Sequence, residues 1–294
     1  MLVPEYGESE VTLPEYIYRY RPSKTRYLED EVSKTLERRI WLSEPKYLND
    51  PFDCNPSITE STIKELSDII KTYGFRRYKA DLAERMSSAA GRDIKRERRW
   101  KRISQTPATM AKFEYEITKL NTRYYALQRA KVACLSTRHD SILMWSHYST
   151  NHSGYCVKYR YRWGSAETSP LRVRYVDNRS NLSMIDLVIF SSRHLREFAM
   201  EENDEYRIIS ALFYEKASEW SYENEWRIVL PDGGKAGYRY IPELEPVGVY
   251  LGANATPEVK DVIRGRCQSI EVTDLQIDSG SYRLISKPQR AIML

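Results

Sequence analysis

Three segments of the chain carry side chains whose types and spacing can do chemistry. In Trp220-Ser221-Tyr222-Glu223-Asn224-Glu225-Trp226-Arg227, two carboxylates stand two residues apart beside aromatic rings and an arginine. If this segment runs into a strand, period two places Glu225 and Arg227 on one face and Trp226 and Ile228 on the other. Carboxylates held in place can stabilise a developing positive charge, whereas on an edge strand they simply face water. In Met144-Trp145-Ser146-His147-Tyr148, followed by His152-Ser153-Gly154, two of the four histidines fall within six positions beside an indole and a phenol. On a helix Met144, His147 and Tyr148 share a face, and His152 joins them from the following turn. His147 and His152 can serve as acid/base groups or as metal ligands. Their spacing is not the i, i+4 of a helical zinc site and no cysteine completes it, so no metal is assigned. Gly154 is expected to supply a positive φ before the next strand. The third segment is Asn49-Asp50-Pro51-Phe52-Asp53. Asn49, Asp50 and Asp53 can hold a metal or a sugar; the alternative is an Asx-turn held by Asn49, with Phe52 buried beneath it.

The elements that must position these residues follow from periodicity. Tyr16 to Arg21 alternates as a strand that Pro22 stops, and a helix is expected over 24–38. Residues 39–43 read as a strand, and 59–131 as almost wholly helical, with Pro107 opening a second long helix. Strands are expected at 132–136, 154–161 and 171–176, with a helix at 141–148 between the first two. Residues 181–216 read as helical, with a break near Asn203. Strands at 225–230, 247–251, 269–277 and 282–285 complete about nine. Thr256-Pro257-Glu258 is a helix start, with Thr as the cap and Pro at the first helical position. The fold class expected is α+β: a mixed, split sheet with flanking helices and a helical insertion at about 59–130. It is read as a single domain over 1–294 with a loose tail at 1–15. The regular βαβ alternation of a doubly wound fold is absent, as are G-x-G-x-x-G and Walker A sequences.

The totals narrow the class. With 294 residues and 41% hydrophobic side chains, the chain can bury a sizeable core. Mean hydropathy is −0.63 and no apolar run approaches the roughly 20 residues that a bilayer requires, so no membrane partner is expected. Met1 to Glu10 holds three acids and no basic residue, unlike a signal peptide. Cys54, Cys134, Cys156 and Cys267 lie far apart with no C-x-x-C pair, which fits reduced thiols and a cytoplasmic setting. Charge is concentrated: Lys71 to Arg102 holds twelve Lys/Arg against four acids, so that segment is +8 and the remainder −3 within a total of +5. Nucleic acid, or another acidic partner, is expected to bind it, through sequence-independent phosphate contacts; a solvated helix face is the alternative.

Taken in order, the segments resemble the bacterial family catalogued as domain of unknown function 2971. The resemblance rests on Tyr18-Arg19-Tyr20-Arg21, Asn49 to Asp53, Met144 to Tyr148 with His152 and Gly154, Trp220 to Arg227, and Leu251-Gly252. It spans about residues 16–286 and departs in the long basic helical stretch. The motif order also resembles that of ADP-ribosyltransferase-like enzymes, in which an Arg or His, then a Ser or Tyr, then an E-x-E on a late strand follow one another. The resemblance implies NAD as substrate, with Glu225 catalytic, Glu223 orienting the acceptor, and His147 and Tyr148 beside them. Tyr20, Arg21, Asn49, Asp50, Trp145 and His152 would then hold the NAD. The expected function is NAD cleavage with modification of a nucleic acid or protein, in bacterial defence or as a toxin. The alternatives are a metal-dependent nuclease built on Asp50, Asp53 and a glutamate, and a non-catalytic nucleic-acid-binding module.

Overall fold

A computed structural model describes residues 14–23, 25–88, 103–116, 118, 130–162, 168–191, 193–201, 203–230 and 235–286. The protein is α+β, as expected, and the chain divides into two compact units. The first holds Met1–Leu48, Ala130–Tyr175 and Ala217–Leu294; the second holds Asn49–Arg129 and Val176–Lys216.

The first unit is built on β1 (Tyr16–Arg21), α1 (Thr25–Leu36), β2 (Arg39–Leu42), β3 (Lys131–Ser136), α2 (Ile142–Tyr148), β4 (Tyr155–Tyr161), β5 (Leu171–Arg172), β6 (Glu225–Leu230), β7 (Gly237–Tyr240), β8 (Leu244–Leu251), α3 (Pro257–Arg266), β9 (Glu271–Ile277) and β10 (Leu284–Ser286). Eight strands form one mixed sheet in the order β10-β9-β8-β4-β1-β3-β6-β5. All adjacent pairs are antiparallel except β8 with β9, which α3 connects in parallel. The α3 start is as the sequence predicts: Thr256 Oγ1 accepts from the Val259 amide at 3.4 Å, and Pro257 follows the cap. β2 pairs with β7 in a separate two-stranded ribbon.

Alternation along each strand divides the sheet into two faces. Ile17, Ala133, Leu135, Val157, Tyr159, Trp226, Ile228, Val249 and Leu251 form the main core with Leu28 and Val32 of α1 and Val259 and Ile263 of α3. The opposite face carries a smaller cluster, in which Tyr18, Tyr20 and Cys156 pack with Met144 and Trp145 of α2. Because Ser136 opposes both Tyr18 and Glu225 in register, the acidic segment of β6 opens on that second face.

The second unit is mostly helical, with helices at Ile63–Tyr73, Phe75–Ser88, Met184–Ser191, Arg193–Ala199 and Asp204–Phe213, and helical residues at 107–116. Thr62 and Glu65 form a reciprocal capping box at its first helix. The stretch read from sequence as helical at 181–216 begins instead with Asn181–Ser183 paired in parallel with Ser57–Thr59. That three-residue strand is too short to show a period of its own. Of the basic stretch, residues 89–102 lie outside those described, as does most of the tail expected at 1–15. None of the four cysteines is in a disulfide in this structure. Among the described residues no helix is long and apolar enough to cross a membrane.

Candidate functional site

The site forms where α2 ends against the turn that leads into β6. Ser141 caps α2 by accepting from the Met144 amide at 3.4 Å, which sets the helix phase and buries Met144 and Trp145. Tyr148, at the last turn, donates its hydroxyl to Glu223 Oε1 at 2.6 Å. Glu223 ends a short 3-10 helix, Ser218–Glu223, and the next residue, Asn224, is left-handed at φ 44°. Asn tolerates this conformation better than most L residues, and it turns the chain abruptly into β6. Two hydrogen bonds fix the turn against the end of β3, from Ser136 Oγ to the Glu223 carbonyl at 2.6 Å and from the Thr137 amide to the Asn224 carbonyl at 3.3 Å, and the Arg138 amide holds Ser136 Oγ in place at 3.0 Å.

Glu225 opens β6 under different constraints. Arg227, two residues on and therefore on the same face, donates Nε to Oε1 at 2.7 Å and Nη2 to Oε2 at 2.9 Å. The pair is sealed, with Arg227 wholly buried and Glu225 at 2% exposure. Tyr175 donates its hydroxyl to the Glu225 amide at 2.8 Å, and the Val173 amide bonds the Glu225 carbonyl at 2.9 Å. Around Glu223, His147 is exposed while Trp220 and Tyr222 are half-buried. Their three rings lie 6.0 to 6.3 Å apart by centroid. The result is a buried carboxylate bridged to a phenol, with a partly exposed aromatic wall on which a planar ring can stack.

Tyr148 and Glu223 are brought together, with the His147 ring 6.3 Å from that of Tyr148. Others expected beside them are not. Trp145 is fully buried, donates Nε1 to the His139 carbonyl at 2.7 Å, and packs edge-on to Tyr20 at 5.2 Å. It supports the site from beneath and cannot present its ring to a ligand. Tyr20 is likewise buried, with its hydroxyl donated to the Arg138 carbonyl at 3.0 Å. Arg21 alternates to the opposite face of the sheet, where it pairs with Glu31 of α1. His152 lies flat against Trp145, at 6.4 Å and 16°, with Nε2 3.1 Å from Ser146 Oγ. Burial lowers its pKa below the usual 6.5. Asn49 and Asp50 belong to the second unit. There Asp50 holds an Asx-turn, its Oδ1 accepting from the Phe52 amide at 2.9 Å. Phe52 is 59% exposed instead of buried, with the Arg179 guanidinium 5.5 Å from its ring centroid. Asp53 faces Lys216, both buried, at 3.8 Å. Among the described residues no group of three or more His, Cys, Asp or Glu is placed to hold a metal.

The glycines of the motifs interlock. Gly154 does not take a positive φ; Thr150, Asn151 and His152 before it do, at 49°, 50° and 66°. A Cβ on Gly154 would lie 2.1 Å from the Arg21 carbonyl oxygen, and one on Gly252 would lie 2.1 Å from that of His152. The Gly252 amide bonds the Gly154 carbonyl at 2.9 Å and the Asn254 amide bonds the His152 carbonyl at 2.9 Å. These motif residues serve close backbone approach. Sequence reasoning missed the roles of Ser136, Tyr175, Trp220 and Tyr222. Ser136 and Tyr175 are separated from the acidic segment by 87 and 50 residues, with no local signal to connect them.

Residues 144–228 match the model of a family described as protein of unknown function (DUF2971). The matched stretch runs from α2 into β6 and so contains Tyr148, Glu223, Glu225 and Arg227. No curated protein and no solved structure matches the chain.

Proposed function

We propose that the first unit cleaves NAD at the nicotinamide–ribose bond and transfers ADP-ribose to an acceptor, with Glu223 as the carboxylate that stabilises the reacting ribose. The observation that carries this reading is the 2.6 Å bond from Tyr148 to Glu223 beside the wall of His147, Trp220 and Tyr222. As the ribose–nitrogen bond breaks, its electron pair leaves with neutral nicotinamide and positive charge develops on the sugar. A fixed carboxylate lowers the energy of that charge, as it does in glycoside hydrolysis. An aromatic wall can stack the planar leaving group. The acceptor's nucleophile, or water, then bonds to the sugar carbon and gives up its proton.

The roles differ from those the motif order implies. Both oxygens of Glu225 are engaged by Arg227, so its negative charge is already balanced. Glu225 and Arg227 support the turn from below, and Glu223 takes the catalytic place. A metal-dependent nuclease draws no support from Asp53, which faces Lys216. The basic segment Lys71 to Arg102 makes nucleic acid the acceptor class we favour, bound through its phosphates.

The test is incubation of the full chain with NAD and measurement of nicotinamide release, with and without excess EDTA. Release that survives EDTA and falls at least about 100-fold in Glu223→Gln supports the reading. No release with any acceptor offered, or full activity in Glu223→Gln, overturns it. Activity that vanishes with chelation returns the choice to a metal-dependent enzyme.

A further inference from the structure

Two arginines of β1, Arg19 and Arg21, leave the sheet on the face opposite to Tyr148 and Glu223. Arg21 has a counter-ion in Glu31. Arg19 has none. It is 9% exposed, and among the described residues its hydrogen-bond partner is a single neutral group, the Trp41 carbonyl, 2.6 Å from Nη2. Among the described residues no carboxylate lies within ion-pair distance of it. A guanidinium offers five donors, and burying one without an anion is among the costlier arrangements in a folded chain. Burial, reinforced by the charge of Arg21, lowers the pKa of Arg19 to about 10.

The surroundings point the same way. Trp41 and Tyr238 meet edge to face at 5.3 Å, both half-buried, and Lys34 Nζ lies 4.6 Å from the centre of the Tyr238 ring. Arg19, Arg21 and Lys34 outnumber Glu31 and Asp30 by one charge, and the unmatched charge is the buried one.

We propose that Arg19, backed by Arg21 and flanked by Trp41 and Tyr238, binds a small phosphate-bearing anion. The anion supplies the missing counter-charge and accepts the unused guanidinium donors. The ligand is inorganic phosphate, or the phosphate of a nucleotide whose base packs on Trp41 and Tyr238. The site lies on the other face of the sheet from the NAD-cleaving site and does not rest on that reading.

The full chain is titrated with inorganic phosphate, with AMP, and with sodium chloride at matched ionic strength, while calorimetric binding and the unfolding temperature are followed. A saturable rise in unfolding temperature with phosphate or AMP, absent with chloride, is expected. Equal affinity for the two identifies the phosphate alone as the ligand; tighter AMP binding identifies a nucleotide. Arg19→Gln is expected to weaken binding at least tenfold. Without ligand it should unfold no earlier than the wild type, since it removes an unbalanced buried charge. Nicotinamide release by Arg19→Gln should stay at the wild-type level, which separates this site from the other. Glu31→Gln, which releases Arg21, should tighten binding several-fold, and it decides the matter if Arg19→Gln does not fold. No saturable effect of either anion, undiminished binding in Arg19→Gln, or unchanged or weaker binding in Glu31→Gln overturns the proposal.

Discussion

Arg227 grips both oxygens of Glu225, at 2.7 and 2.9 Å, with neither side chain exposed to solvent beyond a few per cent. Two residues apart on one strand, the partners need no tertiary search to meet, and their planar groups match edge to edge. Removing one partner alone leaves the other as an uncompensated buried charge. Arg227→Met is therefore expected to destabilise the protein by about 3–5 kcal/mol. Denaturant unfolding checks this, and Glu225→Leu added to Arg227→Met should recover part of the loss. A loss below about 1 kcal/mol for Arg227→Met would show that the pair is not sealed.

Tyr148 and Glu223 should act as a coupled pair. Tyr148→Phe keeps the ring and removes only the hydroxyl that holds Oε1. Nicotinamide release is expected to fall roughly tenfold or more, since a mispositioned carboxylate loses part of its charge stabilisation. In the Tyr148→Phe, Glu223→Gln double variant the two losses should be far from additive. Independent, additive effects would mean that the bond has no part in positioning Glu223.

Gly252→Ala tests the interlocked backbone. The added methyl would stand 2.1 Å from the His152 carbonyl oxygen and 3.0 Å from that of Gly154, both main-chain atoms without the freedom of a side-chain tip. Overpacking of this kind costs about 1–3 kcal/mol and occasionally more, and the upper end is expected here. Thermal unfolding is the measurement, and a neutral Gly252→Ala would contradict the close approach.

His152 should make stability depend on mild acid. Burial lowers its folded pKa below 6.5, so the unfolded chain takes up the proton first. Its contribution is complete above the unfolded value and is lost as pH falls through 6.5 towards the folded one. His139 adds in the same direction, its pKa also lowered mainly by burial. His152→Asn keeps a residue that tolerates the left-handed backbone at φ 66° but cannot titrate. The variant should lose less stability than the wild type between about pH 7 and pH 5 in denaturant titrations. An identical pH dependence in the two proteins would place the effect elsewhere.

Several local features were legible in the residues alone. The alternation Tyr16 to Arg21 specified a strand, Ser141 and Thr256 marked helix starts, and Glu225-Trp226-Arg227-Ile228 split between two faces as period two requires. The same alternation already placed Tyr20 and Arg21 on opposite faces, so a single pocket could not hold both side chains. Which face each occupies depended on what covers it: α2 over Tyr20, α1 over Arg21. Nor could spacing show that the hydroxyl of Tyr175 meets the amide of Glu225, that Tyr148 reaches Glu223 across 75 residues, or that Phe52 stays outside its turn. Periodicity is a property of neighbouring residues along the chain, and it determined the elements and their faces. The pairing of carboxylate with phenol, and the burial of the Arg19 guanidinium against the Trp41 carbonyl, arise where distant strands and helices pack, and only the tertiary structure decided them.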